Sequence, residues 1–238
     1  MSGHSKWSTI KRQKAVNDNA RGKVFGKMVK AITVAAREGG PNPDSNYKLR
    51  IAIEAARAEN MPGSTIDRAI NKAASSAEKV EEITYEGFGP GGVALMVQVT
   101  TDNRNRTVQE IKHVFERGGG SMGQPGSVSF NFELSGYLLV KKGEDVDTQT
   151  LNLIDLGASE LEDIGDGIEV YVSPTELFSI KEKIEQKGYA VLKAELIQKP
   201  KVEVPIGVQD KKKLAGLLEL FDEHDDVQNV FDNASFSG

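Results

Sequence analysis

Ser159-Glu160-Leu161-Glu162-Asp163-Ile164-Gly165-Asp166-Gly167-Ile168-Glu169-Val170-Tyr171-Val172 is the stretch on which the fold turns. Ser159–Ile164 and Ile168–Val172 read as strands, and Gly165-Asp166-Gly167 between them is a turn sequence, so the segment predicts a hairpin. Upstream, Tyr137–Val140 reads as a strand and Thr148–Leu156 as a helix. Downstream, Pro174–Lys187 reads as a helix with proline at its start, where the missing N–H costs nothing, and Ala190–Ile197 as a strand. From Gly136 to Ile206 the order is therefore β-α-β-β-α-β, the ferredoxin-like arrangement.

This module is flanked by elements that need each other. Ile83–Glu86 and Val93–Thr101 are β-branched and strand-like. Asp102/Asn103 caps a helix running to about Arg117, with Val108, Ile111 and Phe115 inward, and Gly118-Gly119-Gly120 stops it. Val128–Phe132 reads as the next strand. After the module, Lys211–His224 is helical and Val227–Phe231 a strand. Those last two lack partners of their own, and they complete the unit begun at Val93 only if the ferredoxin-like module is an insertion.

The first third of the chain reads as a helical bundle. Phe25, Met28, Val29, Ile32 and Ala36 recur at helical spacing between Asn19 and Arg37, and Gly39-Gly40-Pro41 ends that helix. Leu49, Ala52, Ile53 and Ala56 form the stripe of a second helix, about Asp44 to Asn60. Ser64 is placed to cap a third, which uses Ile66, Ile70 and Ala73. Ala74–Lys79 is a polar, Ala/Ser-rich linker. The expected fold class is thus α+β in three domains. Residues 1–78 form an N-terminal three-helix bundle and 79–134 plus 206–238 a discontinuous α/β domain. Residues 135–205 form the ferredoxin-like βαββαβ domain inserted within it.

Charge divides the chain along the same line. Residues 1–78 carry 14 basic and 7 acidic side chains, net +7, whereas residues 79–238 carry 16 and 28, net −12. Lys6, Lys11, Arg12, Lys14, Arg21, Lys23, Lys27 and Lys30 crowd the first thirty residues, with Trp7, the chain's single tryptophan, among them. Such asymmetry points to a polyanion met by one end of the molecule. The apolar stripe of the first helix is used by bundle packing and leaves no membrane face, which narrows the polyanion to nucleic acid. Lysines and arginines neutralise phosphates, and an aromatic among them can stack on an unpaired base. Trp7 can equally anchor the bundle core. Arg104 and Arg106 open a helix beside the glycine loops; they can add a phosphate contact or salt-bridge locally.

Other function classes find little support. The 238 residues contain no cysteine and three histidines, which excludes disulfides and thiolate metal sites and argues against a histidine metal centre. No apolar run approaches a membrane span, and no secretory signal opens the chain, so a cytoplasmic protein is expected. Gly87-Phe88-Gly89-Pro90-Gly91-Gly92 matches the dinucleotide pattern G-x-G-x-x-G, but a strand follows it where that motif requires a helix. Gly119-Gly120-Ser121-Met122-Gly123 matches a nucleophile elbow with helix and strand in reverse order. Both read as structural loops. No catalytic residue, cofactor or small-molecule substrate is expected.

Taken together, Gly3-His4-Ser5-Lys6-Trp7, Tyr85 to Gly92, Asp102 to Thr107, and the closing Leu217 to Phe221 and Asp225 to Val230 resemble the YebC/PmpR family over essentially the whole chain. The resemblance implies three domains with the third inserted in the second. It also implies a cytoplasmic, non-enzymatic regulator of gene expression. Bacterial members of that family are generally described as DNA-binding transcriptional regulators, while mitochondrial relatives are described as translational activators. The residues themselves favour RNA or the ribosome: a basic arm, an aromatic and flexible glycine loops suit unpaired strands, and the head shows no evident recognition helix for duplex DNA. Both targets stay open at this point, as does oligomeric state.

Overall fold

The computed structural model describes residues 18–75, 80–165 and 167–236. Its N-terminal bundle holds α1 (Asp18–Gly39), α2 (Tyr47–Ala58) and α3 (Gly63–Ser75). Ile32, Ala36, Leu49, Ile53, Ala56 and Ile66 fill its core, with Phe25, Met28, Val29, Ala52, Ile70 and Ala73 packed around them. Those are the stripes anticipated from spacing. Two boundaries move. Asn46 caps α2, its Oδ1 accepting from Leu49 N (3.1 Å) while its Nδ2 donates to Ala35 O (2.7 Å) and Gly40 O (2.8 Å), so one side chain stitches the α1–α2 turn. α3 starts at Gly63 and so already includes Ser64, the expected cap; the Pro62 carbonyl accepts from Thr65 N at 2.9 Å. The expected linker lies largely outside the described residues.

The middle sheet is built from β1 (Glu81–Phe88), β2 (Ala94–Thr101), β3 (Ser121–Met122) and β9 (Val227–Asp232), in the order β3-β1-β2-β9. β1 and β2 are antiparallel neighbours, from Glu81 opposite Thr101 to Phe88 opposite Ala94. β9, from the far end of the chain, lies antiparallel to β2 on its other side. Helices α4 (Arg104–Arg117) and α7 (Val208–Glu223) cover one face, burying Leu95, Val97, Val99, Ile111, Phe115 and Phe221. The Phe115 and Phe221 rings meet edge to face at 4.9 Å. Within α4, Ile111 and Phe115 are buried as expected, but the first inward position is Thr107, and Val108 is only half-buried.

The inserted unit comprises β4 (Phe132–Lys141), α5 (Val146–Asp155), β5 (Glu160–Asp163), β6 (Gly167–Val172), α6 (Leu177–Gln186) and β7 (Val191–Pro200). Its strand order is β5-β6-β4-β7 with all neighbours antiparallel, the ferredoxin-like topology. α5 and α6 cover one face over Leu138, Val140, Leu153, Ile168, Ile180 and Ile184. The opposite face, with Tyr137, Leu139, Tyr171 and Ile197, stacks on Ala94, Met96 and Phe231 of the middle sheet. Glu169 is fully buried near that seam, accepting hydrogen bonds from Tyr137 Oη (2.9 Å) and Tyr171 Oη (3.0 Å). Burial, with the Glu169 charge beside it, raises the Tyr137 phenol far above its ordinary pKa.

Three features differ from expectation. Val128–Phe132 is not a strand: Ser129–Asn131 is a 3-10 turn, and one uninterrupted strand, β4, begins at Phe132. The cause is Glu86, whose carboxylate takes the N–H groups of Val128 (2.7 Å) and Ser129 (2.8 Å) that a strand neighbour would need. β3 adds a short edge to β1 that periodicity could not reveal in two residues. β8 (Val204–Ile206) and β10 (Ala234–Phe236) form a separate parallel pair.

Candidate nucleic-acid interface

Lys23, Lys27 and Lys30 sit four and three residues apart on α1, so they share one face. That face meets the C-terminal end of α7 and the acidic residues after it. Lys27 Nζ donates to Asp222 O at 2.6 Å, and Lys23 Nζ donates to Glu223 O at 3.4 Å. Lys30 Nζ donates to Asp225 O (3.1 Å) and to Asp226 Oδ1 (2.7 Å). A helix end leaves its last carbonyls without partners and carries the negative pole of the helix dipole, so ammonium groups are drawn there even before the carboxylates are counted.

Asp226 is the centre of this contact and is 4% exposed. Its second oxygen accepts from Arg106 Nη2 (2.8 Å) and from Thr107 Oγ1 (2.8 Å), both on the first turns of α4. Asn103 sets that turn, its Oδ1 accepting from Arg106 N at 3.1 Å. Burial pushes the Asp226 carboxyl up, but the hydrogen bonds from Lys30, Arg106 and Thr107 outweigh it and hold the group down at about 2. Arg106 also reaches Asp102 (3.1 Å) and Glu110 (3.6 Å). His224 Nε2 stands 3.3 Å from Glu110, and its Nδ1 accepts from Asp226 N at 3.2 Å. Between bundle and middle domain these residues line a groove of about 850 Å³, which also takes in Lys72 and His113. Among the described residues, no group of three His, Cys, Asp or Glu side chains is placed to hold a metal ion.

The glycine loops lie apart from this cluster. Gly87–Gly92 joins β1 to β2, with strand on both sides. Gly91 has φ 76°, and a Cβ there would come within 2.8 Å of Ile206 Cγ2, so its glycine serves a tight turn against β8. Glu86, just before, ties this hairpin to the loop after β3: it accepts from Gly126 N (2.8 Å) as well as from Val128 and Ser129. Burial raises the Glu86 carboxyl; these backbone N–H groups reverse that and leave it below its ordinary pKa.

Of the expected nucleic-acid contacts, Lys23, Lys27, Lys30 and Arg106 are thus gathered on one acidic tip, Asp222-Glu223-His224-Asp225-Asp226. Arg104 is exposed on the first turn of α4, where its charge opposes the upward push of burial on the Tyr85 phenol. Arg21 lies on α1, its side chain outside the described set, and Lys6, Trp7, Lys11, Arg12 and Lys14 lie outside the described residues. The reading from sequence missed Asp226, Thr107 and Glu86. A legible signal existed for the first: four carboxylates in five residues at a helix end, opposite in sign to the head.

Comparison with known proteins fixes the family. Residues 5–76 match the TACO1/YebC protein N-terminal domain, and residues 80–234 match the TACO1/YebC second and third domain. The chain belongs to the TACO1/YebC family. A relative from Carboxydothermus hydrogenoformans named "Probable transcriptional regulatory protein" is 45% identical, covering 98% of each chain. A Thermus thermophilus relative bearing that description is also 45% identical, over 98% of this chain and 96% of its own. Among solved structures, a conserved hypothetical protein from Aquifex aeolicus superimposes with a TM-score of 0.85 at 43% identity, covering 94% of both chains. The TACO1/YebC fold is therefore seen in a crystal structure as well as here, and these relatives carry regulator names.

Proposed function

We propose that this TACO1/YebC protein is a non-enzymatic, cytoplasmic regulator of gene expression that binds nucleic acid through its basic head, with DNA as the target expected of a transcriptional regulator, the role its relatives' names give. The observation that carries this is the distribution of charge: eight cations in residues 6–30 on a body of net −12. Phosphate neutralisation supplies affinity, and the acidic body turns phosphates away from the other faces. The contact residues are Lys6, Trp7, Lys11, Arg12, Lys14 and Arg21, with Arg104 as an outlying cation. The division of labour follows the proposed domains: 1–78 makes the contact, while 79–134 with 206–238 and 135–205 form the body. Among the described residues, no helix is long and apolar enough to cross a membrane.

A second reading, RNA or the ribosome, is favoured by the inward turn of the α1 lysines. A helix whose cationic face is docked on its own protein is not offered to a major groove. Contact then falls to the arm around Trp7, and an arm with one aromatic suits unpaired bases. Replacing Lys11, Arg12 and Lys14 by Glu tests both. Duplex-DNA mobility shift and co-sedimentation with ribosomes are measured at matched salt. The variant loses at least tenfold in whichever activity is real; unchanged affinity for both overturns the function.

A further inference from the structure

The bundle is held to the rest of the protein in two chemically different ways. Against the third domain the contact is largely apolar: Ile51 of α2 packs into the core beneath α6, and the Arg50 guanidinium lies 4.8 Å from the centre of the Phe178 ring. Among the described residues an ion pair also joins them, Lys181 to Glu54 at 3.4 Å. Against the middle domain the side-chain contacts described above are ammonium to oxygen. Lys23, Lys27 and Lys30 meet carbonyl and carboxylate oxygens of residues 222–226, the kind of acceptor a phosphodiester presents. Salt and competing anions weaken contacts of the second kind far more than the first.

In the sequence, residues 6–14 lie only a few positions before α1, so phosphates bound by them are held at high local concentration near the α1 lysines. The outer part of the contact is weak. Lys23 and Asp225 are 3.9 Å apart with both side chains well exposed, a geometry that adds little in water. The inner part, Lys30 to Asp226, is short and shielded. A polyanion can thus exchange for the tip stepwise, from the exposed end inward.

We propose that Asp222–Asp226 is an internal phosphate mimic that competes with a nucleic-acid backbone for Lys23, Lys27 and Lys30, so that nucleic-acid binding frees α1 from the middle domain while α2 stays on the third. This rests on the reading of the basic head as a nucleic-acid contact. The latch holds most molecules closed and lowers apparent affinity by the closed fraction. Opening it by mutation raises affinity without adding a single contact.

Because the chain has no cysteine, Asp67→Cys on α3 and Gln209→Cys on α7, both exposed, give a unique pair for spin or dye labels. The full-length labelled protein is titrated with a 30-nucleotide single strand, and separately with a 30-base-pair duplex. The label distance lengthens on saturation with whichever is bound. Asp225→Asn with Asp226→Asn lengthens it in the absence of nucleic acid and raises affinity about 5- to 50-fold, within the range of ordinary coupling between sites. Should that pair unfold the protein, Glu223→Gln with Asp225→Asn, both exposed, moves both readouts in the same direction by a smaller amount. Binding that leaves the distance fixed, with affinities unchanged in the variants, overturns the mimic and spares the nucleic-acid reading. Absence of binding by the wild type at any salt overturns both.

Discussion

Asp226 gathers three side chains on one carboxylate and so joins bundle to middle domain: Lys30 from the bundle, and Arg106 and Thr107 from α4. A carboxyl held at about 2, against an ordinary 3.8, stabilises the fold fully above the ordinary value. That contribution disappears as pH falls from about 4 through about 2, and linkage puts it at roughly 2 kcal/mol. Asp226→Asn therefore lowers the urea midpoint at pH 7, and the gap from wild type narrows at pH 2. An equal gap at both would refute the assignment. Glu86 makes a comparable prediction on the other side of the sheet. Glutamine there keeps one acceptor oxygen and points an NH₂ at backbone N–H groups, so Glu86→Gln costs about 1–3 kcal/mol. Hydrogen exchange at Gly126, Val128 and Ser129 speeds up first, since those amides are its partners. The role of Glu86 was not legible in the sequence, and of Asp226 only its place in a run of carboxylates was. Burial and the convergence of three N–H groups are properties of the folded chain, and an acid after Tyr85 looks like any other.

At the scale of elements, what could be read depended on whether an element had one covered face or two. The bundle helices have one, so Ile32, Leu49 and Ile66 recur with helical period and their identity was plain. β4 has two, α5 and α6 on one side and the middle sheet on the other, and Ser135 to Val140 is buried without alternation. Without alternation the register and length of a strand lose their signal. Hence Phe132 and Tyr137 read as belonging to separate strands. The packing of α4 against α7 was likewise invisible, although its device is a single residue. A Cβ on Gly118 would overlap the Leu217 side chain, and the two helices approach there only because it has none. Gly118→Ala thus forces the pair apart, at about 1–3 kcal/mol, seen as a lower melting temperature. A melting temperature equal to that of wild type would show that Leu217 has room to move.

For the whole molecule the decisive property is the separation of charge, legible from residue counts alone. Where the cations end up was not, because pairing Lys27 with a carbonyl 195 residues away requires the fold. If the arm supplies the phosphate contacts, four cations at positions 6, 11, 12 and 14 give a plot of log affinity against log salt with slope about −3.6 on duplex or about −2.8 on single strands. Each replaced cation reduces the magnitude by about 0.9 on duplex or about 0.7 on single strands. A slope insensitive to those replacements would move the contact elsewhere.

The placement of the acidic tip also has a consequence in time. Residues 222–226 are translated about 195–200 residues after the lysines they capture. At about 5–20 residues per second, that interval is roughly 10–40 s. Throughout it the nascent chain leaves the ribosome with its cationic helix uncovered, beside the messenger and ribosomal RNA that are making it. Only when β9 enters the middle sheet does the protein acquire the anion that screens its own first helix.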